Sequence, residues 1–247
     1  MRLLQLNAWH LRLIKKVVDV VEQEHPDIIT FQEMPDSAGK PGLIDTLSNL
    51  QQMVPYPHTY YSPVHNFQVM GSDVAWGNAI LSKSPISDAT TTFTNGEHTN
   101  NFSFKTHDYN IRNFQHATLD IDGKKLHVIN HHGYHIPAHK NGNEETLKAC
   151  KQIAEYISQL EGPVILTGDF NLTPDTESIK QFDGLLRNLS SEYGLKTTRN
   201  DLTTKQEVCD YIFVNDLVQV TDFFASDIVA SDHQALLLDF EILTEKA

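Results

Sequence analysis

Short apolar runs in this chain end abruptly in an acid, an amide or an imidazole, and the pattern recurs from one end of the sequence to the other. Leu3–Leu6 gives way to Asn7, and Ile28–Phe31 to Glu33. Val128-Ile129-Asn130-His131 is followed by His132, and Val164–Leu166 by Asp169 and Asn171. Asp210 opens the run Tyr211–Val214, and Ser231-Asp232-His233 stands just before the run that starts at Gln234. Apolar runs of this length suit strands. Strand ends are where loops converge over a fixed support and ligand sites form. Any one of these polar residues is most simply a turn former, since Asp and Asn favour turns. Their recurrence points instead to a fold that gathers several strand ends in one place.

The rest of the chain supplies the elements such a fold needs. Arg2–Leu6 reads as a buried strand. Apolar residues at Leu13, Ile14, Val17, Val18, Val20 and Val21 give a helix over Leu11–Glu24, packed on a sheet. His25-Pro26 ends it, because the residue before proline avoids the α region. Asp27–Glu33 is the next strand, which completes one crossover unit. A short helix over Leu43–Met53 follows. Residues 54–77 are rich in Pro, Tyr and His with weak periodicity, and Ala79–Ser82 is a short strand before a turn at Pro85. Thr90–Tyr109 is polar and reads as a loop or weak hairpin. Ile111–Ile121 and Lys125–Asn130 are strands joined by Asp122-Gly123, a strong hairpin signal. After a loop over Gly133–Gly142, the clearest helix spans Asn143–Leu160. Its stripe is Leu147, Cys150, Ile153, Ala154, Ile157 and Leu160, with Glu144 and Glu145 where the helix dipole favours negative charge. Gly162-Pro163 closes it. Val164-Ile165-Leu166 suits a strand buried on both faces, and Tyr211–Val214, Val218–Ala225 and Gln234–Glu241 finish the chain as strands. There is no internal repeat, linker tract or compositional break. Residues 1–247 therefore read as a single domain of two mixed β-sheets packed face to face with helices outside.

Charge and length narrow the function. Lys and Arg number 19 against 32 Asp and Glu, a net charge of −13, with 13 histidines besides. The basic footprint usual in proteins that grip duplex nucleic acid is missing. An anionic substrate would have to be met by a few Arg or Lys side chains or by a divalent cation. A chain of 247 residues buries roughly 70–75% of its unfolded surface and needs no disulfide framework. Cys150 and Cys209 are read as reduced and buried. No apolar run reaches the roughly 20 residues that cross a bilayer. Met1–Asn7 turns polar too early for a signal peptide, so a cytoplasmic location is expected.

The polar residues at the strand ends also make chemical sense together. Glu33 and Asp232 are hard oxygen donors and Asn7 adds a neutral one, a set that suits Mg²⁺ or Mn²⁺. Structural zinc is disfavoured, because neither Cys-x-x-Cys nor His-Glu-x-x-His occurs. Asp169 and His233 can act as general base or acid, and Asp210 can hold the His233 imidazole in one tautomer. Such a set best serves the attack of water on a phosphoryl centre, with a divalent ion, a carboxylate and a cationic imidazole sharing the work.

Gln32-Glu33, Gly168-Asp169-Phe170-Asn171, Asp210-Tyr211-Ile212-Phe213 and Ser231-Asp232-His233, in that order and with an early Asn7, resemble the endonuclease/exonuclease/phosphatase superfamily. Gly77–Ser82 and Val128–His132 match its intermediate motifs, and the resemblance runs from residue 2 to about residue 241. It implies a four-layered α/β sandwich and metal-dependent phosphoester hydrolysis. It further implies that Glu33 is the main metal ligand, helped by Asn7 and Asp232, and that Asp169 aligns the attacking water. Asn171 would hydrogen-bond the scissile phosphate, and His233, oriented by Asp210, would stabilise developing charge. His132 matches a second active-site histidine, and Arg112 a phosphate-binding arginine. Tyr109 can reach the phosphate or simply pack. His131 and His132 face opposite sides of a strand, and the motif register favours His132. His135 and His139 read as surface histidines and Cys209 as core.

The substrate-facing loops, Tyr56–Gly77, Thr92–Tyr109 and Gly133–Gly142, carry no Lys/Arg cluster; the last two hold only Lys105 and Lys140. That disfavours duplex DNA, which relies on many phosphate contacts, and multiply phosphorylated substrates. Phe67, Trp76, Phe93, Phe102, Phe104 and Tyr109 offer stacking surfaces. A small phosphodiester or a single-stranded nucleic acid fits best, and a lipid phosphodiester remains open. The expected activity is that of a phosphodiesterase or nuclease. A phosphomonoesterase is the alternative, and a non-catalytic scaffold the third reading.

Overall fold

A computed structural model of the chain describes residues 1–37, 44–69 and 71–243. In chain order the elements are β1 (Arg2–Asn7), α1 (Ile14–Glu24), β2 (Ile28–Asp36), α2 (Leu47–Met53), β3 (His58–Val69), β4 (Ser72–Ser82) and β5 (Ile86–Asn95). They continue with β6 (Arg112–Ile121), β7 (Lys124–His132), α3 (Glu144–Ile157), β8 (Val164–Asp169), β9 (Arg187–Asn188), α4 (Leu189–Glu192), β10 (Asp210–Val214), β11 (Val218–Ala225) and β12 (Leu236–Ile242). Two six-stranded sheets form, in the orders β11-β12-β1-β2-β4-β3 and β5-β6-β7-β8-β10-β9. Both are mixed: β1 runs parallel to β2 and β7 parallel to β8, while the other pairs are antiparallel.

Period-two alternation along the strands divides their side chains between two faces. On the outer face of the first sheet, Leu4, Leu6, Ile29 and Phe31 pack with Val17, Val20 and Val21 of α1 and Leu47 and Leu50 of α2. On the outer face of the second, Ile129, Leu166 and Phe213 pack with Cys150, Ile153 and Ile157 of α3. Between the sheets, Leu3, Ile28 and Ile80 meet Leu119, Val128, Ile165 and Val214. The result is helix, sheet, sheet, helix, the expected sandwich.

The inner face changes character along each strand. From start to end, β1 reads Leu3, Gln5, Asn7; β2 reads Ile28, Thr30, Gln32; β7 reads Val128, Asn130, His132; and β8 reads Ile165, Thr167, Asp169. β10 runs against β8 and reads Val214, Ile212, Asp210. One end of the inter-sheet space is therefore apolar, its middle is largely neutral polar, and its far end carries ionisable side chains from β7, β8 and β10. The middle layer is hydrogen-bonded across the sandwich. Gln5 Nε2 donates to Gln32 Oε1 (2.9 Å), Gln32 Nε2 to Asn130 Oδ1 (2.6 Å), and Asn130 Nδ2 to Gln115 Oε1 (2.9 Å). Thr167 Oγ1 donates to Thr30 Oγ1 at 2.9 Å. Buried amides are tolerable only when paired in this way.

Several boundaries differ from the sequence reading. The stretch 54–77 holds all of β3 and the start of β4, which extends the short strand expected at Ala79–Ser82. The region read as a loop or weak hairpin begins with the end of β5, paired to β6 over Ile86–Asn95. The first helix starts at Ile14, after a tight turn at Trp9–Leu11. The second starts at Leu47, where Thr46 caps it by accepting from Asn49 N; Leu43 lies outside the described residues. The third spans Glu144–Ile157, capped by Asn143. The short elements β9 and α4 carry no sequence signature. Cys150 and Cys209 are both buried and free.

Candidate active site

A cavity of about 370 Å³ opens at the ionisable end of the sandwich. Glu33, Tyr109, Arg112, His132, Asp169, Asn171, Asp232 and His233 all line it. These eight of the ten residues picked from the sequence come from both sheets, from the loops before β6 and after β8, and from the loop before β12. The other two, Asn7 and Asp210, stand directly behind it.

Asp169 sits at the end of β8, buried, opposite His132 on one side and Asp210 on the other. Its Oδ2 accepts from Asn7 Nδ2 at 3.0 Å, and its Oδ1 accepts from the backbone N–H of Asn171 at 2.9 Å. Oδ2 lies 3.6 Å from His233 Nε2 and 3.9 Å from His132 Nε2. Burial opposes its ionisation, but His233, Arg199 and other cationic groups around it outweigh that and hold the carboxyl far below the usual range. Asn7, expected as an oxygen donor to a cation, points its amide at Asp169, and its Oδ1 accepts from Trp9 N at 3.1 Å.

His233 stands on Asp210. Its Nδ1 lies 2.8 and 3.0 Å from the two carboxylate oxygens, and Asp210 also accepts from Thr198 Oγ1 (2.6 Å) and Gln5 Nε2 (3.3 Å). Burial disfavours the imidazolium, yet Asp210 and Asp169 overcome it and raise the pKa of the ring. Asp169, Asp210 and His233 bring ligand-type atoms within 4.8 Å of one another. Those atoms are committed to protein hydrogen bonds, so the trio is built as an acid–imidazole–acid chain. His132 differs: burial and the Arg112 charge push its pKa well down, which leaves the ring neutral. His131, on the other face of β7, packs edge-on to Phe170 and hydrogen-bonds Asn113 O at 3.0 Å.

Glu33 reaches the cavity through a backbone irregularity. The β2–β4 register shifts between Phe31 and Met34, and Glu33 has φ 54°. A bulge of this kind re-aims a side chain that would otherwise follow the strand's alternation. Left-handed backbone recurs at Asn171 (φ 57°) and at the consecutive residues Trp9, His10 and Leu11 (φ 45°, 61° and 56°). Each costs a non-glycine residue about 1–3 kcal/mol, and such strain gathers at functional sites. Glycine is required beside Asp169: Gly168 has φ 149°, and a Cβ there would fall 1.9 Å from His131 O.

Arg112 is buried, with Nε on Gly133 O at 2.7 Å and Nη1 on Tyr109 O and Ile111 O at 2.9 and 3.0 Å. Tyr109 is 36% exposed at the cavity rim, its hydroxyl 3.4 Å from His135 O. His135 also lines the cavity, against its reading as a surface histidine.

Three further residues come into the site from loops. His10 Nε2 lies 3.1 Å from Glu33 Oε2. Buried Lys140 donates from Nζ to Asn171 Oδ1, which turns the Asn171 amide nitrogen toward Gly133 O (3.3 Å). Arg199, only 4% exposed, donates from Nη1 to Asp232 Oδ2 at 3.2 Å, and the same nitrogen contacts His233 Nε2. Its Nη2 donates to Cys209 Sγ at 3.5 Å. None of the three belongs to an apolar run with a polar end, the signal that found the others.

No curated protein matches the chain. Its fold is similar to that of an endonuclease/exonuclease/phosphatase from Bacteroides vulgatus, with a TM-score of 0.74 at 17% identity over 98% of each chain. It is similar to the mannosyl-6-phosphatase of Bacteroides thetaiotaomicron, with a TM-score of 0.70 at 17% identity over 98% of this chain and 100% of that one. It is also similar to a humanized D. rerio TDP2, with a TM-score of 0.69 at 16% identity over 98% of both. A family model matches residues 4–233, a span that takes in the bulged Glu33, the Asp169 strand end and the Asp210–His233 pair. By that match the chain belongs to the Endonuclease/Exonuclease/phosphatase family, whose members hydrolyse phosphoesters.

Proposed function

We propose that this protein is a divalent-metal-dependent phosphodiesterase that directs water onto the phosphorus of a small diester or a single-stranded nucleic acid. The observation that carries this reading is the Asp169 carboxylate, held ionised between His233 Nε2 at 3.6 Å and His132 Nε2 at 3.9 Å in the cavity wall.

The residues divide the work as follows. Asp169, kept as an acceptor by its depressed pKa, aligns the attacking water. His233, raised toward its charged form by Asp210, stabilises negative charge on the phosphoryl oxygens. Asn171 presents an amide N–H whose orientation Lys140 fixes from the oxygen side. Arg112 from the cavity wall and Tyr109 from its rim face the phosphate. The water oxygen bonds to phosphorus as the bond to the leaving oxygen breaks, and the leaving oxygen takes up a proton. Glu33 and Asp232, both in the cavity wall, would supply hard oxygens of the kind Mg²⁺ or Mn²⁺ takes, and Asn7 Oδ1 behind them would add another. A cation there would neutralise charge building on the phosphoryl group.

A diester is favoured over a monoester by charge. Among the described residues, the Lys/Arg side chains that line the cavity are Arg112, Arg199 and Lys205. The first two already spend hydrogen bonds on protein acceptors. That suits a singly charged diester better than a dianionic monoester or a polyphosphate.

Rates on bis-p-nitrophenyl phosphate and p-nitrophenyl phosphate, with Mg²⁺, Mn²⁺ or EDTA, test the proposal. Diester hydrolysis at least about tenfold faster than monoester hydrolysis, and lost in EDTA, is the expected result. The reverse preference would make the protein a phosphomonoesterase. Hydrolysis of neither with any metal would make it a binding scaffold.

A further inference from the structure

Glu33 is bracketed by two imidazoles, one at each carboxylate oxygen. His10 Nε2 lies 3.1 Å from Oε2, and His132 Nε2 lies 3.8 Å from Oε1. If His10 did nothing but hydrogen-bond Glu33, it would compete with any cation for that carboxylate.

The way His10 is held argues for a different role. It is the middle residue of three consecutive non-glycine residues in left-handed backbone, a run that L side chains avoid. Its ring packs on Trp76, with centroids 3.8 Å apart. Strained backbone and a packed aromatic wall together aim one nitrogen at Glu33. The other nitrogen, Nδ1, is buried and meets no partner among the described residues, so Nε2 is the end of the ring that the fold employs. Glu33 itself arrives at the same point from a left-handed bulge. The spacing also matters. Two ligand atoms on adjacent positions around one ion, each about 2.1 Å from it, sit about 3 Å apart. The 3.1 Å between His10 Nε2 and Glu33 Oε2 matches that spacing.

We propose that His10 is a metal ligand alongside Glu33, and that its nitrogen tunes the site toward a divalent cation that accepts imidazole, of the Fe²⁺, Co²⁺ or Zn²⁺ type, over Mg²⁺. The inference rests on the reading that Glu33 helps to bind a divalent cation. Mg²⁺ takes oxygen ligands and sheds water reluctantly, whereas imidazole suits the later first-row ions. All-oxygen sites also rank those ions above Mg²⁺, so the wild-type ratio alone decides nothing. The effect of removing His10 on each ion decides it.

The test is calorimetric titration of the EDTA-stripped protein with CoCl₂ and, separately, MgCl₂, for wild type, His10→Asn and His10→Ala. Asn tolerates left-handed backbone, so His10→Asn keeps the turn while replacing the nitrogen ligand; thermal melts check the fold of both variants. The expected result is a Co²⁺ Kd raised at least about tenfold in both variants, with Mg²⁺ affinity unchanged or slightly tighter. The visible absorption of bound Co²⁺ shifts with the loss of a nitrogen donor. The two tryptophans, Trp9 and Trp76, both line the cavity, so quenching of their fluorescence by Co²⁺ places the binding there. Tightening of both ions in parallel would make His10 a competitor and overturn the proposal, as would unchanged Co²⁺ affinity and absorption. Failure of wild type to bind either ion would instead remove the cation reading of Glu33, a separate result.

Discussion

One guanidinium nitrogen, Nη1 of Arg199, lies against both His233 Nε2 and, at 3.2 Å, Asp232 Oδ2. These two groups are adjacent in sequence and have been given different proposed tasks, charge stabilisation and cation binding. Arg199 therefore ties together two halves of the site that the backbone alone would leave free to turn independently. It also sits near Asp169 and Asp210, whose charges help to raise its pKa against the effect of burial.

Arg199→Met is expected to destabilise the fold by about 3–5 kcal/mol, the usual effect of leaving a buried ionic partner uncompensated. Urea unfolding followed by circular dichroism measures it. Arg199→Lys keeps the charge but not the fork that spans Asp232, His233 and Cys209, so it falls between wild type and Met.

Asp169→Asn and His233→Ala each remove one proposed catalytic function and leave the sandwich in place. Each should lower turnover by at least about 10²-fold. Asp169→Asn should melt within a few degrees of wild type, whereas His233→Ala, which leaves buried Asp210 without its imidazole partner, should melt lower. Near wild-type turnover in either variant would contradict its assigned role. Glu33→Ala should shift the metal dependence of the rate more than the KM, read from metal titrations at fixed substrate.

Gly168→Ala tests the backbone beneath the site. The new Cβ meets His131 O at 1.9 Å, and an alanine does not readily adopt φ 149°. β7 and β8 must part where His131 pairs with Gly168, next to the His132–Asp169 pair. We expect a loss of about 1–3 kcal/mol, or roughly 2–4 °C in melting temperature per kcal/mol, and a larger fall in turnover than the melting shift alone would cause.

Acid should weaken the fold before it protonates Asp169, whose pKa is depressed. Burial lowers the pKa of His65, His116 and His131 from 6.5 to about 4. The unfolded chain takes up these protons below about pH 6.5, but the folded chain only below about 4. Within that window the unfolded state binds more protons, so stability falls as the pH falls. Urea midpoints measured between pH 7 and 4 should decline steadily. His65→Phe, which keeps the stack on Phe102, should flatten part of that slope.

The strands that carry the site were readable because their inner and outer faces are both buried through most of their length. That produces apolar runs, which stop where the inner face turns ionisable. β3 escaped notice because it is an edge strand of largely half-exposed residues, with a register shift between Pro63 and His65. Its hydrogen-bonded neighbour, β4, defines it, and its own composition does not. The same limit applies inside the cavity. Arg199 reaches His233 through a bridge between segments 34 residues apart, and Lys140 reaches Asn171 from an irregular loop. His10 depends on a left-handed run that Trp-His-Leu gives no reason to expect. Asn7 was read from its place at a strand end, and only the fold reveals that its amide serves Asp169.

The inner faces of β1, β2, β7, β8 and β10 all start apolar and end polar along a common direction, with ionisable His132, Asp169 and Asp210 at the ends of β7, β8 and β10. Displacing any one of these strands by a single residue would send its catalytic-end side chain outward to the helices and bring a hydrophobe into the amide layer. Alignment of the reactive groups and closure of the core are thus one event. A chain that has finished collapsing has already assembled its chemistry, and on heating the two should be lost at the same temperature.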